Sequence, residues 1–161
     1  MRAIKAYRSI LLLAVVFSAL AGQKGAFAAE EINVSKAGVA IHGYDPVAYH
    51  RENTPVEGKQ AFSAQHDGAT YWFASAENRD AFLQAPDTYA PAYGGWCAYG
   101  VRVGRKFNTD PQAFGIVNGR LYFYLDLGTQ KVWEEDVARN IAIADRIWPS
   151  IKATPARQLA E

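Results

Sequence analysis

Cys97 is the chain's one cysteine, and it sits in YGGWCAYG (Tyr93–Gly100) between glycines and large aromatic residues. Such a thiol has three chemistries open to it: soft-metal ligand as the thiolate, nucleophile, or small apolar filler of a tight corner. The other side chains able to ligate a soft metal are His42, His50 and His66. His42 and His50 flank the Asp45–Pro46 pair of GYDPVAYH, and His66 directly precedes the turn dipeptide Asp67–Gly68. If the Asp-Pro loop packs against the Cys97 loop, Cys97 and His42 supply one thiolate and one imidazole, a donor set suited to copper or zinc. His42, Tyr44, Asp45, Trp96, Cys97 and Tyr99 then form the expected ligand-binding surface.

Each of these residues also has a plainer reading. Free cysteine is commonly buried as a small hydrophobe. An Asp before Pro starts a turn and accepts neighbouring backbone N–H groups, which suits Asp45 and also Asp110. His50, beside Arg51 and Glu52, and His66, in a turn, read as surface residues. A cysteine enzyme needs a base and an oxyanion hole, and Gly94–Gly95 would expose N–H groups beside Cys97, yet a tight turn explains the same glycines. No Ser/His/Asp order, zinc-protease helix or phosphate loop is present. The residues therefore favour a binding module for a soft metal ion, copper or zinc, or a small ligand. An interaction domain with Cys97 buried, and a thiol-dependent enzyme, stand as alternatives.

Composition narrows the field. Arg2, Lys5 and Arg8 precede the run ILLLAVVFSALA and the small-residue site AFA, the pattern of a secretory signal peptide ending at Ala28. Cleavage there would remove four of the seventeen Lys and Arg and none of the sixteen Asp and Glu, leaving a formal charge of −3. The expected product is an exported domain, periplasmic or secreted, without a membrane anchor. An acidic domain with no Lys/Arg run lacks the electrostatic footprint of a nucleic-acid binder. Met1 is the only methionine, which excludes a methionine-rich copper carrier.

The elements that must position these groups are legible in outline. DGATYWFAS (Asp67–Ser75) returns as NGRLYFYLD (Asn118–Asp126), an offset of 51 residues that also carries Phe82 onto Trp133. DPVAY (Asp45–Tyr49) similarly echoes DPQAF (Asp110–Phe114), and the two pairs together suggest an internal duplication. Asp-Gly and Asn-Gly predict hairpin turns opening the aromatic strands ATYWFA and RLYFYL. Ser75 predicts a helix N-cap before AENRDAFLQA, which Pro86 ends. Trp133, Val137, Ile141, Ala144 and Trp148 share one helical face and predict a single helix from about Gln130 to Trp148, stopped by Pro149. PAYGGWCAYGVRVGRKF (Pro91–Phe107) reads as a strand or tight loop. The expected architecture is α+β: one small domain, residues 38–150, of aromatic antiparallel hairpins with helices on one face. Residues 29–37 would be a flexible lead-in and 151–161 a loose tail.

GATYWFASAENRDAFLQAPDTY (Gly68–Tyr89) resembles the YHS domain family, and GYDPVAYH (Gly43–His50) resembles the Asp-Pro-Val motif that opens that domain. With YGGWCAYGV (Tyr93–Val101) and NGRLYFYLDLGTQKVWEED (Asn118–Asp136), the order is similar to that of exported, single-cysteine YHS proteins over roughly Gly38 to Pro149. The resemblance implies the fold. In metal-associated members, cysteines occupy the positions of Ala48, Ala74 and Asn78 here, so the thiolate cluster of those members is missing from this chain.

Overall fold

The computed structural model describes residues 31–159, so the expected signal peptide and the start of the lead-in lie outside the described residues. Its plan is one hairpin-helix unit built twice, an α+β arrangement. In the first unit β1 (Lys59–His66) pairs antiparallel with β2 (Ala69–Phe73), and α2 (Ala76–Gln84) follows; α1 (Pro46–Glu52) precedes them. In the second, β3 (Asp110–Val117) pairs with β4 (Arg120–Tyr124), and α5 (Leu127–Glu134) follows. Between the units lie α3 (Pro86–Tyr89) and α4 (Ala98–Arg102); α6 (Val137–Ile151) closes the chain's main body.

The offset of 51 holds strand for strand, carrying Lys59–His66 onto Asp110–Val117 and Ala69–Phe73 onto Arg120–Tyr124. Both turns place two consecutive residues at positive φ, Asp67 (48°) with Gly68 (79°) and Asn118 (51°) with Gly119 (77°), the geometry that matches strand twist in a two-residue hairpin. Even the irregularity repeats: the register shifts between Lys59 and Ser63 and again between Asp110 and Phe114. Ser75 caps α2 by accepting from the Asn78 N–H (3.2 Å), and Asp126 caps α5 by accepting from the Thr129 N–H (2.7 Å). The other echo fails. DPVAY forms a helix and DPQAF a strand, because Pro46 sits at the first helical turn, where its missing N–H costs nothing. Pro111 lies in the bulged stretch of β3, where no ladder bond needs that N–H.

The two cores meet at β4. Leu121 and Phe123 join Val47, Tyr49, Tyr71, Phe73 and Phe82 in the first core, while Tyr122 and Tyr124 join Trp133, Ala144 and Val101 in the second. Side chains alternate across a strand, so β4 buries both faces, which accounts for its unbroken apolar run LYFY.

Several boundaries differ from expectation. The single helix expected over 130–148 is two, divided at Asp136, whose carboxylate caps α6 through the Arg139 N–H (3.2 Å). Pro149 does not stop α6. The helix runs on to Ile151, and the Lys152 N–H still reaches the Trp148 carbonyl (2.9 Å). Burial of Ile151 in the second core offsets the backbone bond that Pro149 cannot make. The segment 91–107, read as strand or loop, contains the short helix α4. Within the expected lead-in and tail, described residues make fixed contacts: Ile32 packs in the first core, the Asn33 N–H donates to the Gly94 carbonyl (2.8 Å), and Lys106 Nζ donates to the carbonyls of Lys152 (2.6 Å) and Thr154 (2.8 Å). No helix among the described residues is long and apolar enough to cross a membrane.

Candidate functional site

Asp45 is the most constrained polar residue of the expected surface. It is fully buried. One carboxylate oxygen accepts from the Val47 (2.8 Å) and Ala48 (3.3 Å) N–H groups and so caps α1; the other accepts from the Ala74 N–H (2.8 Å) and the Asn78 amide (2.7 Å). Asn78 in turn accepts from Arg51 (2.9 Å). Ala48, Ala74 and Asn78 are the positions that the YHS resemblance pairs with cysteines, and all three bond the Asp45 carboxylate. The residues present do not fit a metal there: two alanines supply no donor atom, and the Asn78 amide is taken up between Asp45 and Arg51.

Cys97 is also fully buried. It caps α4, its sulfur accepting from the Gly100 N–H (3.4 Å), and its own N–H donates to the Phe107 carbonyl (3.1 Å). Burial pushes the thiol above its ordinary range, against weaker opposing pulls from the Gly100, Leu125 and Tyr99 N–H groups. The thiolate needed by a metal or by nucleophilic chemistry is thus disfavoured. Gly94 has a structural reason to be glycine: at φ 62° a Cβ would stand 2.1 Å from the Glu31 carbonyl oxygen.

The remaining expected residues disperse. His42 is exposed at φ 52°, its Nε2 3.0 Å from Asn108 Oδ1, and it shares a recess of about 330 Å³ with Trp96, Asn33 and Asn108. Trp96 is tied by its indole N–H to the Glu31 carbonyl (3.2 Å). Tyr44 packs on the first core, whereas Tyr99 lines a separate recess with Arg102 and Arg139. Among the described residues, no group of three or more His, Cys, Asp and Glu side chains is placed to hold a metal ion. Of the six expected ligand-binding residues, His42 and Trp96 share one recess.

A larger cleft, about 530 Å³, opens elsewhere. Ile32, Tyr71, Ala90, Pro91 and Trp148 provide its apolar walls, and Glu31, His66 and Asp67 provide polar lining. The first hairpin contributes Tyr71 and the His66–Asp67 corner; α6 contributes Trp148; the turn after α3 contributes Tyr93 and Gly94. Tyr93 is held by a hydrogen bond from its hydroxyl to Asp145 (2.9 Å), and burial first, then that bond, pushes its phenol well above the usual range. His66 Nε2 lies 3.3 Å from Asp67 Oδ2 and 3.8 Å from Asp87 Oδ1. The sequence reads His66 as a surface residue and Tyr71 and Tyr93 as two of many aromatics that are mostly core, a few of them able to rim a cleft. The available signal was the aromatic clustering, but not which rings would converge, because that depends on how the two units dock.

Comparison with protein-family models, with curated proteins and with solved structures returned no match.

Proposed function

We propose that this chain is an exported, non-enzymatic, YHS-like binding module that holds a small organic ligand in the cleft between Tyr71, Tyr93 and Trp148. The observation that carries the reading is the cleft itself: its size falls within the range of small-molecule sites, and it pairs apolar walls with a few polar groups at the edge. The YHS reading draws support from the contact between its two motifs: Asp45 of the first accepts from the Ala74 N–H and the Asn78 amide of the second, while its bond to Ala48 is the local helix cap. Copper or zinc at Cys97 is the weaker form of the proposal, because the thiol is enclosed and capped.

The test is backbone NMR of the processed protein titrated with small aromatic fragments, beside Ala90→Phe, which narrows the cleft. Saturable shifts of Ile32, His66, Tyr71 and Trp148 that weaken at least fivefold in a folded Ala90→Phe would support it. Shifts confined to the His42–Trp96 recess would move the site there. Absence of saturable shifts in both places would leave the structural alternative, with Cys97 as packing.

A further inference from the structure

Resting on that cleft reading, we infer that the cleft selects a ligand carrying both an aromatic or apolar body and a positive charge, an organic ammonium. The internal duplication supplies the argument. His66 and Asp67 correspond, at the same offset, to Val117 and Asn118, on hairpins of identical length, turn conformation and register. Asn and Asp serve this turn equally well, because both tolerate positive φ. The turn itself does not require a negative charge at position 67; its carboxylate lies 3.3 Å from His66 Nε2, a pair the second hairpin replaces with Val117 and Asn118, and both His66 and Asp67 line the cleft.

Glu31 provides the second carboxylate of the lining, and no Lys or Arg is among the described residues that line it. Three cations that contact lining residues are engaged by the chain. Lys152 Nζ stands 3.8 Å from Glu31, Lys106 Nζ is bound to two carbonyls behind Trp148, and Arg120 lies 3.3 Å from Asp145 while covering the Tyr93 ring. Trp148 and Tyr93 thus already hold cations of the chain, at 5.5 Å for Lys106 and 5.7 Å for Arg120, so the ligand's charge is assigned to the carboxylates of the lining and not to those rings. A ligand with its apolar body against Tyr71 and Trp148 would set its ammonium at the mouth, between Asp67 and Glu31. Both carboxylates are solvent-accessible, so their contribution is modest and salt-sensitive.

The experiment uses probes of one skeleton and three charges: phenethylammonium, 2-phenylethanol and 3-phenylpropionate. Each is titrated at low ionic strength into the processed protein and into Asp67→Asn/Glu31→Gln, with cleft amide shifts as readout. Asp67→Asn reproduces the residue of the second hairpin, so the fold is expected to survive. Phenethylammonium should bind about tenfold more tightly than the alcohol, with the propionate weakest, and the double variant should compress the series to about twofold. Equal affinities of the three probes at the same amides would overturn the charge inference and leave the cleft reading intact. If none of the three produces saturable cleft shifts, both fall.

Discussion

Asp45 shows how much of this fold can depend on one side chain. Its carboxylate satisfies four donors from α1, the end of β2 and α2, with no exposure to water. Asp45→Ala would leave those donors unpaired in a dry site, a loss of about 3–4 kcal/mol by the usual cost of breaking a buried charged network. Urea unfolding midpoints check this, and a loss below about 1 kcal/mol would mean that water replaces the carboxylate. His50 is a milder case on α1: its Nε2 is buried without a hydrogen-bond partner, its ring meets Tyr89 edge-on, and burial lowers its pKa. The unfolded chain then binds the proton more readily than the folded one. Its contribution is full above about pH 6.5 and is lost as pH falls below that value. His50→Phe should flatten the stability profile between pH 7 and 5.5; an unchanged slope would assign the acid loss to other groups. The sequence identified Asp45 as a turn former from the following proline. It could not reveal that Ala74 and Asn78 complete the same network, since that requires β2 and α2 to be docked.

At the scale of elements, the local signals that survived are those whose physics is local. The turn dipeptides, the Ser75 cap and the aromatic strands depend on φ preference and pleat geometry, and each appears where expected. The failures are places where packing overrides local preference. Periodicity alone could not see the break at Asp136, because Trp133, Val137, Ile141 and Trp148 contact the second core on both sides of it. Gly94 belongs to this scale too, since it allows residues 31–34 to lie against the turn after α3. Gly94→Ala meets both a positive φ and the Glu31 carbonyl, and should cost about 2–3 kcal/mol or undock that segment. Because Glu31 and Ile32 line the cleft, ligand binding should fall in parallel. Hydrogen exchange of the Asn33 amide, bonded to Gly94, separates the two outcomes: rapid exchange in an otherwise folded protein indicates undocking.

For the whole molecule, the duplication does not produce two independent halves. The first core contains Leu121 and Phe123 from the second hairpin, and the opposite face of the same strand carries Tyr122 and Tyr124 into the second core. Tyr49 strengthens the join, with its ring edge-on to Phe123 at 5.1 Å and its hydroxyl donating to the Pro111 carbonyl at 2.9 Å. A fragment ending before β3 would therefore expose Tyr49, Tyr71, Phe73 and Phe82 where β4 now covers them, and a lone two-stranded hairpin with short helices is marginal in water. Residues 31–107 alone should lack near-ultraviolet circular dichroism and a cooperative melt. The intact chain should unfold in one transition, with calorimetric and van't Hoff enthalpies agreeing. Leu121→Ala tests the coupling in the full chain. It removes a buried side chain from the first core at a cost of about 2–5 kcal/mol, yet should lower the single midpoint seen by both Trp fluorescence, dominated by the second unit, and probes in the first. Separate midpoints for the two units would show that β4 links two domains, and the cleft between them would then open at the weaker one.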